Sequence, residues 1–322
     1  MQNPNKGLLV LPIGVRKLFK QSFPGLISKT GDSMFFKKLF KRNLKKEIIK
    51  QRKQIKGVLD KTRHVKKAIK PKNEWFKTGI PGFDALFKKG IPRGTSILVA
   101  GGPGSGKTIF CLQITNNIAV NGEKVLYISL EESEERLKKH MHDFKWDAEH
   151  LEKKGLLKIK RIDPFRISRN VEALLAKAKG ELIMDIEEIG ELVPRGFEPD
   201  WIFIDSLTAL SAAFKEDNDS YRVYIEQLFM YLEKRKVTSF LISETEQIPV
   251  KYSPSGVEEF LADGVVVLYN IRKGSIRESA IEVLKLRGGA HYKKIVALEI
   301  ADNKGIIVYP EQEIIGGLEN EK

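Results

Sequence analysis

The chain has 322 residues, one cysteine, 42% hydrophobic residues and a formal net charge of +14. That length supports a sizeable buried core in one large or two modest domains. The lone Cys111 excludes an internal disulfide and suits a reducing compartment. No apolar run approaches the roughly 20 residues of a membrane-spanning helix. Residues 8–15 (LLVLPIGV) are too short to span and are followed by no small-residue cleavage site, so the expected location is cytoplasmic.

The positive charge is concentrated at one end. Residues 1–75 carry 21 Lys and Arg against 4 Asp and Glu, a balance of +17, and the remainder balances at −3. This shift predicts a basic, partly helical N-terminal extension over 1–75, a folded domain over 76–312 and a polar tail over 313–322. Pro12, Gly14, Pro24, Gly25 and Gly31 make the first part irregular. From Ser33 onward Phe36, Phe40, Leu44 and Ile48 recur every four residues, opposite Lys37, Lys38, Lys41, Arg42, Lys45 and Lys46. The spacing predicts an amphipathic helix that Pro71 ends at the latest. Three partners suit such a face: a protein surface that buries the apolar stripe, nucleic acid whose phosphates the cations neutralise, or an anionic membrane surface.

The next stretch, residues 75–94, is rich in turns and leads to a β-prone run, 95–100 (TSILVA). Directly after it stand Gly101, Gly102, Pro103, Gly104, Ser105, Gly106, Lys107 and Thr108, the pattern G-x-x-x-x-G-K-T, and then a helical pattern over 109–119. Strand, glycine-rich loop and helix in this order form a phosphate-binding loop. The glycines let backbone N–H groups close around phosphate oxygens, and the helix N-terminus adds a favourable dipole. Lys107 is expected on the β- and γ-phosphates of a nucleotide and Thr108 on Mg²⁺.

Residues 124–130 (KVLYISL) read as a second strand, ending at Glu131 and Glu132 before a helix over 133–144. On a strand beside the phosphate-loop strand, these carboxylates are expected at the ligand crevice of an open α/β sheet. There one of them can take the proton of an attacking water, the choice between the two being open. Their alternative role is to favour the N-terminus of that helix.

A third strand is expected over 157–162, broken by Asp163-Pro164, and a helix over 171–193. Residues 200–206 (DWIFIDS) form an apolar strand delivering Asp205 to the same sheet edge as a ligand to Mg²⁺. A helix over 220–235 precedes a further strand, 237–243, that ends in Ser243-Glu244-Thr245-Glu246. Three β-rich runs, 264–271, 278–287 and 294–300, suggest an antiparallel edge, with 305–309 as a fourth. In the second run Lys285 and Arg287 alternate and so share one side. The expected fold is α/β: a mostly parallel twisted sheet with helices on both faces and an antiparallel C-terminal edge. Five histidines and one cysteine show no metal-ligand spacing.

Several of these segments resemble one family. Residues 78–84 (TGIPGFD), 90–94 (GIPRG), the phosphate loop, 205–210 (DSLTAL) and 256–263 (GVEEFLAD) are similar to motifs of RecA-superfamily ATPases of the KaiC and RadA type, over 78 to about 310. The resemblance implies a RecA-like P-loop NTPase, binding ATP with Mg²⁺ and hydrolysing the β–γ bond. It implies that the acidic pair Glu131-Glu132 supplies the catalytic carboxylate, and that Ser243 and Glu244 sense the γ-phosphate. It also implies that Lys285 and Arg287 reach the nucleotide of a neighbouring subunit in a homo-oligomer, expected to be a hexamer. Where the clock protein's kinase half carries phosphorylatable Ser and Thr, this chain has Glu258 and Glu259, and it has one such domain rather than two. The functional expectation is a nucleotide-dependent oligomeric switch that acts on an unidentified protein partner. The alternative is a DNA-associated recombination or repair ATPase of the RadA type.

Overall fold

The structure is a computed structural model that describes residues 74–177, 192–215, 218–273 and 275–314. The chain divides into two units between Lys70 and Pro71, and every described residue lies in the second. The expected basic helix after Ser33 and residues 315–322 of the expected tail lie outside the described residues.

Eleven strands are described. A two-residue pair, β1 (Trp75–Phe76) and β2 (Ile91–Pro92), stands apart from a nine-stranded sheet. The sheet contains β3 (Ser96–Gly101), β4 (Val125–Ser129), β5 (Leu157–Arg161), β6 (Trp201–Asp205) and β7 (Thr238–Glu244). It continues through β8 (Gly264–Lys273), β9 (Ile276–Leu286), β10 (Val296–Ala301) and β11 (Gly305–Glu313). Its order is β11-β10-β9-β8-β3-β7-β6-β4-β5. From β8 to β5 every pairing is parallel, and from β8 to β11 every pairing is antiparallel. The expected mixed architecture is therefore present.

The helices are α1 (Lys107–Val120), α2 (Glu134–Asp143), α3 (Ala148–Lys153), α4 (Pro164–Lys177), α5 (Leu207–Ala213), α6 (Asn218–Arg235) and α7 (Glu258–Leu261). Two separate apolar cores show which face each covers. Ile97 and Val99, Val125 and Tyr127, Trp201 and Phe203 point into one core with α1, α2 and α3. The intervening Leu98, Leu126, Ile128, Ile202 and Ile204 point into the other with α4, α5 and α6. The period-two alternation of side chains explains the division. Strands apolar on both faces read as continuous hydrophobic runs, as parallel strands covered on both sides do.

Two sequence expectations change. The helix expected over 171–193 begins at Pro164, and residues 178–191 lie outside the described residues. Proline suits the first helical position, where its missing N–H is not needed, and the Asp163 carboxylate accepts the Phe165 N–H at 3.0 Å as a cap. The second change concerns β4, which is not beside β3: β7 and β6 stand between them.

The turn-rich leading segments hold the fold rather than the site. The Asp84 carboxylate accepts Thr78 N–H at 2.8 Å, the Thr78 hydroxyl at 2.9 Å and Gly79 N–H at 2.9 Å. Arg93 forks onto Glu123 at 2.6 and 2.7 Å, and Glu123 also accepts the Trp201 indole N–H at 2.7 Å. Arg93, Glu123 and Trp201 lie at the amino end of the sheet, where they line a cavity of about 570 Å³.

Candidate active site

β3 ends at Gly101, and the loop 102–106 leads directly into α1 at Lys107. A side chain at Gly101 would stand 2.3 Å from the Leu268 carbonyl oxygen, so the loop can leave the sheet here only without one. Gly106 caps α1 with φ at +94°, a conformation that L side chains rarely adopt. The first-turn N–H groups of α1 are thereby presented to the loop, an anion-binding arrangement. Lys107 is 6% exposed, and its ammonium donates to the Gly102 carbonyl at 3.0 Å, 3.8 Å from the Glu244 carboxylate. Burial pushes its pKa down, against the opposing charges of Glu244, Asp205 and Glu131. An ammonium so desolvated is strengthened by an anion seated in the loop.

Asp205 arrives on β6 at the same edge. Its Oδ2 accepts the Thr108 hydroxyl at 3.0 Å and the Tyr127 hydroxyl at 2.8 Å. Burial raises its pKa to about 6, with the Glu131 and Glu132 charges adding to the rise and the two hydrogen bonds opposing it. Tyr127 is held by a stack through Phe203 to Phe240, with ring centroids 5.8 and 5.1 Å apart. The sequence offers one signal for its role: a lone phenol within a buried strand must find a partner. Thr108 and Asp205 suit Mg²⁺: a hard hydroxyl oxygen hydrogen-bonded to a buried carboxylate. Among the described residues no cluster of three or more His, Cys, Asp or Glu could hold a metal alone. Mg²⁺ commonly takes one or two protein oxygens together with substrate phosphates.

The two glutamates separate clearly. Ser129 lies opposite Asp205 in the β4–β6 register, and its hydroxyl accepts the Glu131 N–H at 3.4 Å and the Glu132 N–H at 2.9 Å. Glu131 then points across the sheet edge, and its Oε1 accepts the Ser206 hydroxyl. Ser206 in turn caps α5 through the Ala209 N–H at 3.2 Å. Glu132 turns away onto α2, where its Oε2 meets Arg136 Nε at 3.0 Å and His140 Nε2 at 3.1 Å. Glu131 thus stands among Lys107, Asp205 and Ser206, whereas Glu132 is engaged with its own helix.

Three polar atoms around the loop are buried without a hydrogen-bond partner: Ser105 Oγ, Ser243 Oγ and Gln247 Oε1. Ser243 lies beside Ala100 in the β3–β7 register, directly below the loop. Gln247 donates its amide to the Pro103 carbonyl at 3.2 Å and covers Gly102. Its position on a proline-containing loop gave no sequence signal. The Glu244 N–H donates to the Thr208 hydroxyl at 2.8 Å, tying the end of β7 to α5.

Lys285 and Arg287 are brought together, but not to this loop. Lys285 is level with Leu98 through Val265, so it sits three residues short of Gly101 and two strands aside. Each offset is roughly 10 Å from the strand rise and spacing. Both side chains turn instead to α7. Lys285 Nζ donates to the carbonyls of Glu259 at 2.9 Å, Phe260 at 3.4 Å and Ala262 at 2.7 Å. Arg287 donates to those of Phe260 at 2.7 Å and Leu261 at 3.4 Å. Burial, reinforced by the Arg287 charge, pushes the Lys285 pKa down.

The family profile described as "ATPase: KaiC" matches residues 76–313. A circadian clock protein KaiC3 of Synechocystis is 33% identical over 217 residues, covering 67% of this chain and 42% of that protein. A UPF0273 protein of Thermotoga maritima is 34% identical over 220 residues, covering 67% of this chain and 88% of its own length. Among solved structures, a KaiC-like protein of Pyrococcus horikoshii is 31% identical, with a TM-score of 0.60, covering 73% of this chain and 99% of its own. The chain therefore spans less than half of the KaiC3 protein and most of the other two.

Proposed function

The chain belongs to the KaiC family of ATPases, and from that premise we propose that it hydrolyses ATP with Mg²⁺ at a site completed between protomers. The observation that carries this reading is the convergence of Lys107, Thr108, Asp205 and Glu131 on one sheet edge. Glycine-loop amides and Lys107 bind and orient the β- and γ-phosphates. Thr108 and Asp205 would hold Mg²⁺, which supplies positive charge to the phosphate oxygens as the β–γ bond breaks. Glu131 accepts a proton from the attacking water. The water oxygen bonds to the γ-phosphorus, and the bridging electron pair leaves on the β-phosphate of ADP. Ser206 positions Glu131, and the Ser243 and Gln247 atoms left without partners suit contact with the terminal phosphate.

Lys285 and Arg287 lie too far from their own loop to serve it, which supports their action on an adjacent protomer's nucleotide in an oligomeric ring, a hexamer in our reading. Nucleotide occupancy would then switch the assembly. The RadA-type alternative draws no support from the loop 245–257, which carries one cation, Lys251, and one acid, Glu246. The reading is tested by measuring ATP turnover and light scattering together, with and without Mg²⁺. Turnover that requires Mg²⁺ and accompanies assembly supports it. Turnover by particles of monomer mass would overturn the shared site.

A further inference from the structure

The cation pair depends on a helix of one turn that cannot hold itself in place. In α7 the Ala262 N–H closes onto the Glu258 carbonyl at 2.8 Å, and the next carbonyls, 259 to 262, turn outward to Lys285 and Arg287. A single turn has little stability of its own, so its orientation comes from elsewhere. That anchor is Glu258, whose side chain is fully buried. Its Oε1 accepts the Tyr221 hydroxyl of α6 at 2.5 Å, and its Oε2 accepts the Ser255 hydroxyl at 2.7 Å. Tyr221 also lies 3.5 Å from the Leu207 carbonyl, two residues beyond Asp205. The neighbouring Glu259 carboxylate accepts the Tyr252 N–H at 2.7 Å and so fastens the loop before α7.

Lys285 has three donors, and the carbonyls take all three. Arg287 has five, spends two on carbonyls, approaches the Asp263 carboxylate at 3.8 Å and keeps its side chain 55% exposed. Of the pair, Arg287 is thus the group with donors to offer outward, and α7 sets its direction.

We propose that Glu258 is a positioning residue: clamped between Tyr221 and Ser255, it fixes the α7 carbonyls that aim Arg287 at the neighbouring protomer's nucleotide. This rests on the reading that Arg287 acts across the protomer boundary. A displacement of about 1 Å at such a group costs on the order of a hundredfold in rate, so loosening the clamp impairs what a protomer gives its neighbour, not what it receives.

Subunit mixing of the full chain separates giving from receiving. Lys107→Ala protomers lack a working phosphate loop but retain Arg287, and Arg287→Ala protomers have the reverse defect. Mixing the two is expected to restore turnover. With Glu258→Gln or Tyr221→Phe added to the Lys107→Ala donors, restoration is expected to fall about tenfold or more. With either change added instead to the Arg287→Ala acceptors, restoration stays within about twofold, because their own α7 no longer aims a guanidinium. If unmodified donors restore nothing, the shared site itself is wrong. If restoration occurs and the altered donors match unaltered ones, or donors and acceptors suffer equally, the clamp is structural and the proposal is overturned. Tyr221→Phe removes one hydroxyl from a packed aromatic, so the comparison survives should Glu258→Gln fold poorly.

Discussion

The two edges of the sheet differ in how their polar groups are satisfied. At the carboxyl edge, Lys107 and Asp205 are buried with pKa values displaced by burial, and Ser105, Ser243 and Gln247 hold atoms without partners. At the amino edge, Lys285 gives its three donors and Arg287 two of its five to carbonyls on α7, and Arg93 forks onto Glu123, although Arg93 Nε and His291 Nε2 are also left without partners. Buried polar groups are ordinarily paired, so a cluster left open marks a place shaped for a ligand. Cations that already hold carboxylate or carbonyl partners mark scaffold, or a device presented to another molecule. In the reading proposed above, the first edge binds nucleotide and the second donates to a neighbour.

The largest effect expected at the open edge is that of Lys107→Ala, which should abolish nucleotide binding and turnover together. Calorimetric titration with ATP and a phosphate-release assay check it, and retained binding would show that the loop is not the phosphate site. At the amino edge, Arg287→Ala should leave ATP binding to a single protomer intact while lowering turnover of the assembled protein by about 10³-fold or more, as loss of an arginine finger does. Equal loss of binding would erase the distinction between the edges.

Within the open edge, Glu131→Gln should lower turnover roughly 10²–10⁴-fold, the range for a general base. Glu132→Gln, which disturbs an ion pair with Arg136 and a contact with the His140 ring, should change it only a few-fold. Single-turnover rates of the two variants decide between them, and reversed effects would reassign the base.

A smaller effect concerns pH. The folded pKa of Asp205, about 6, lies above its ordinary value of 3.8, so the native state binds the proton more tightly than the unfolded chain does. Its contribution to the stability of the unliganded fold therefore falls as pH rises from about 4 to about 6 and is flat above. Binding of Mg²⁺ favours the ionised form, so Mg²⁺-dependent nucleotide affinity should weaken as pH drops below about 6, approaching tenfold per pH unit. Asp205→Asn should remove both dependences and stabilise the unliganded fold by on the order of 2–3 kcal/mol. Urea unfolding and affinity measured between pH 5 and pH 8 are the checks.

Much of the open edge was legible in the sequence, because its groups sit in short motifs whose spacing follows from strand, loop and helix. The glycine loop with Lys107 and Thr108 was of this kind, and so was Asp205 at the end of an apolar strand. Strand order is not legible: KVLYISL reads the same whether β4 lies beside β3 or three strands away, and in the fold β7 takes the place beside β3. The choice between Glu131 and Glu132 depended on which way a turn faces, and Ser129 and Ser206 set that only in three dimensions. No local motif marks Tyr127 or Gln247, because each acts through a contact far away in sequence. For Lys285 and Arg287 strand alternation predicts a shared side, but nothing local in the sequence marks their carbonyl partners on α7.

The central claim, a nucleotide site open at one edge and completed from the other edge of a second protomer, is tested most directly by turnover per protomer against protein concentration, with mass followed by light scattering. Turnover should rise with assembly, from nearly nothing for the monomer to a plateau for the ring. A rate per protomer that stays constant across the dissociation range would contradict it.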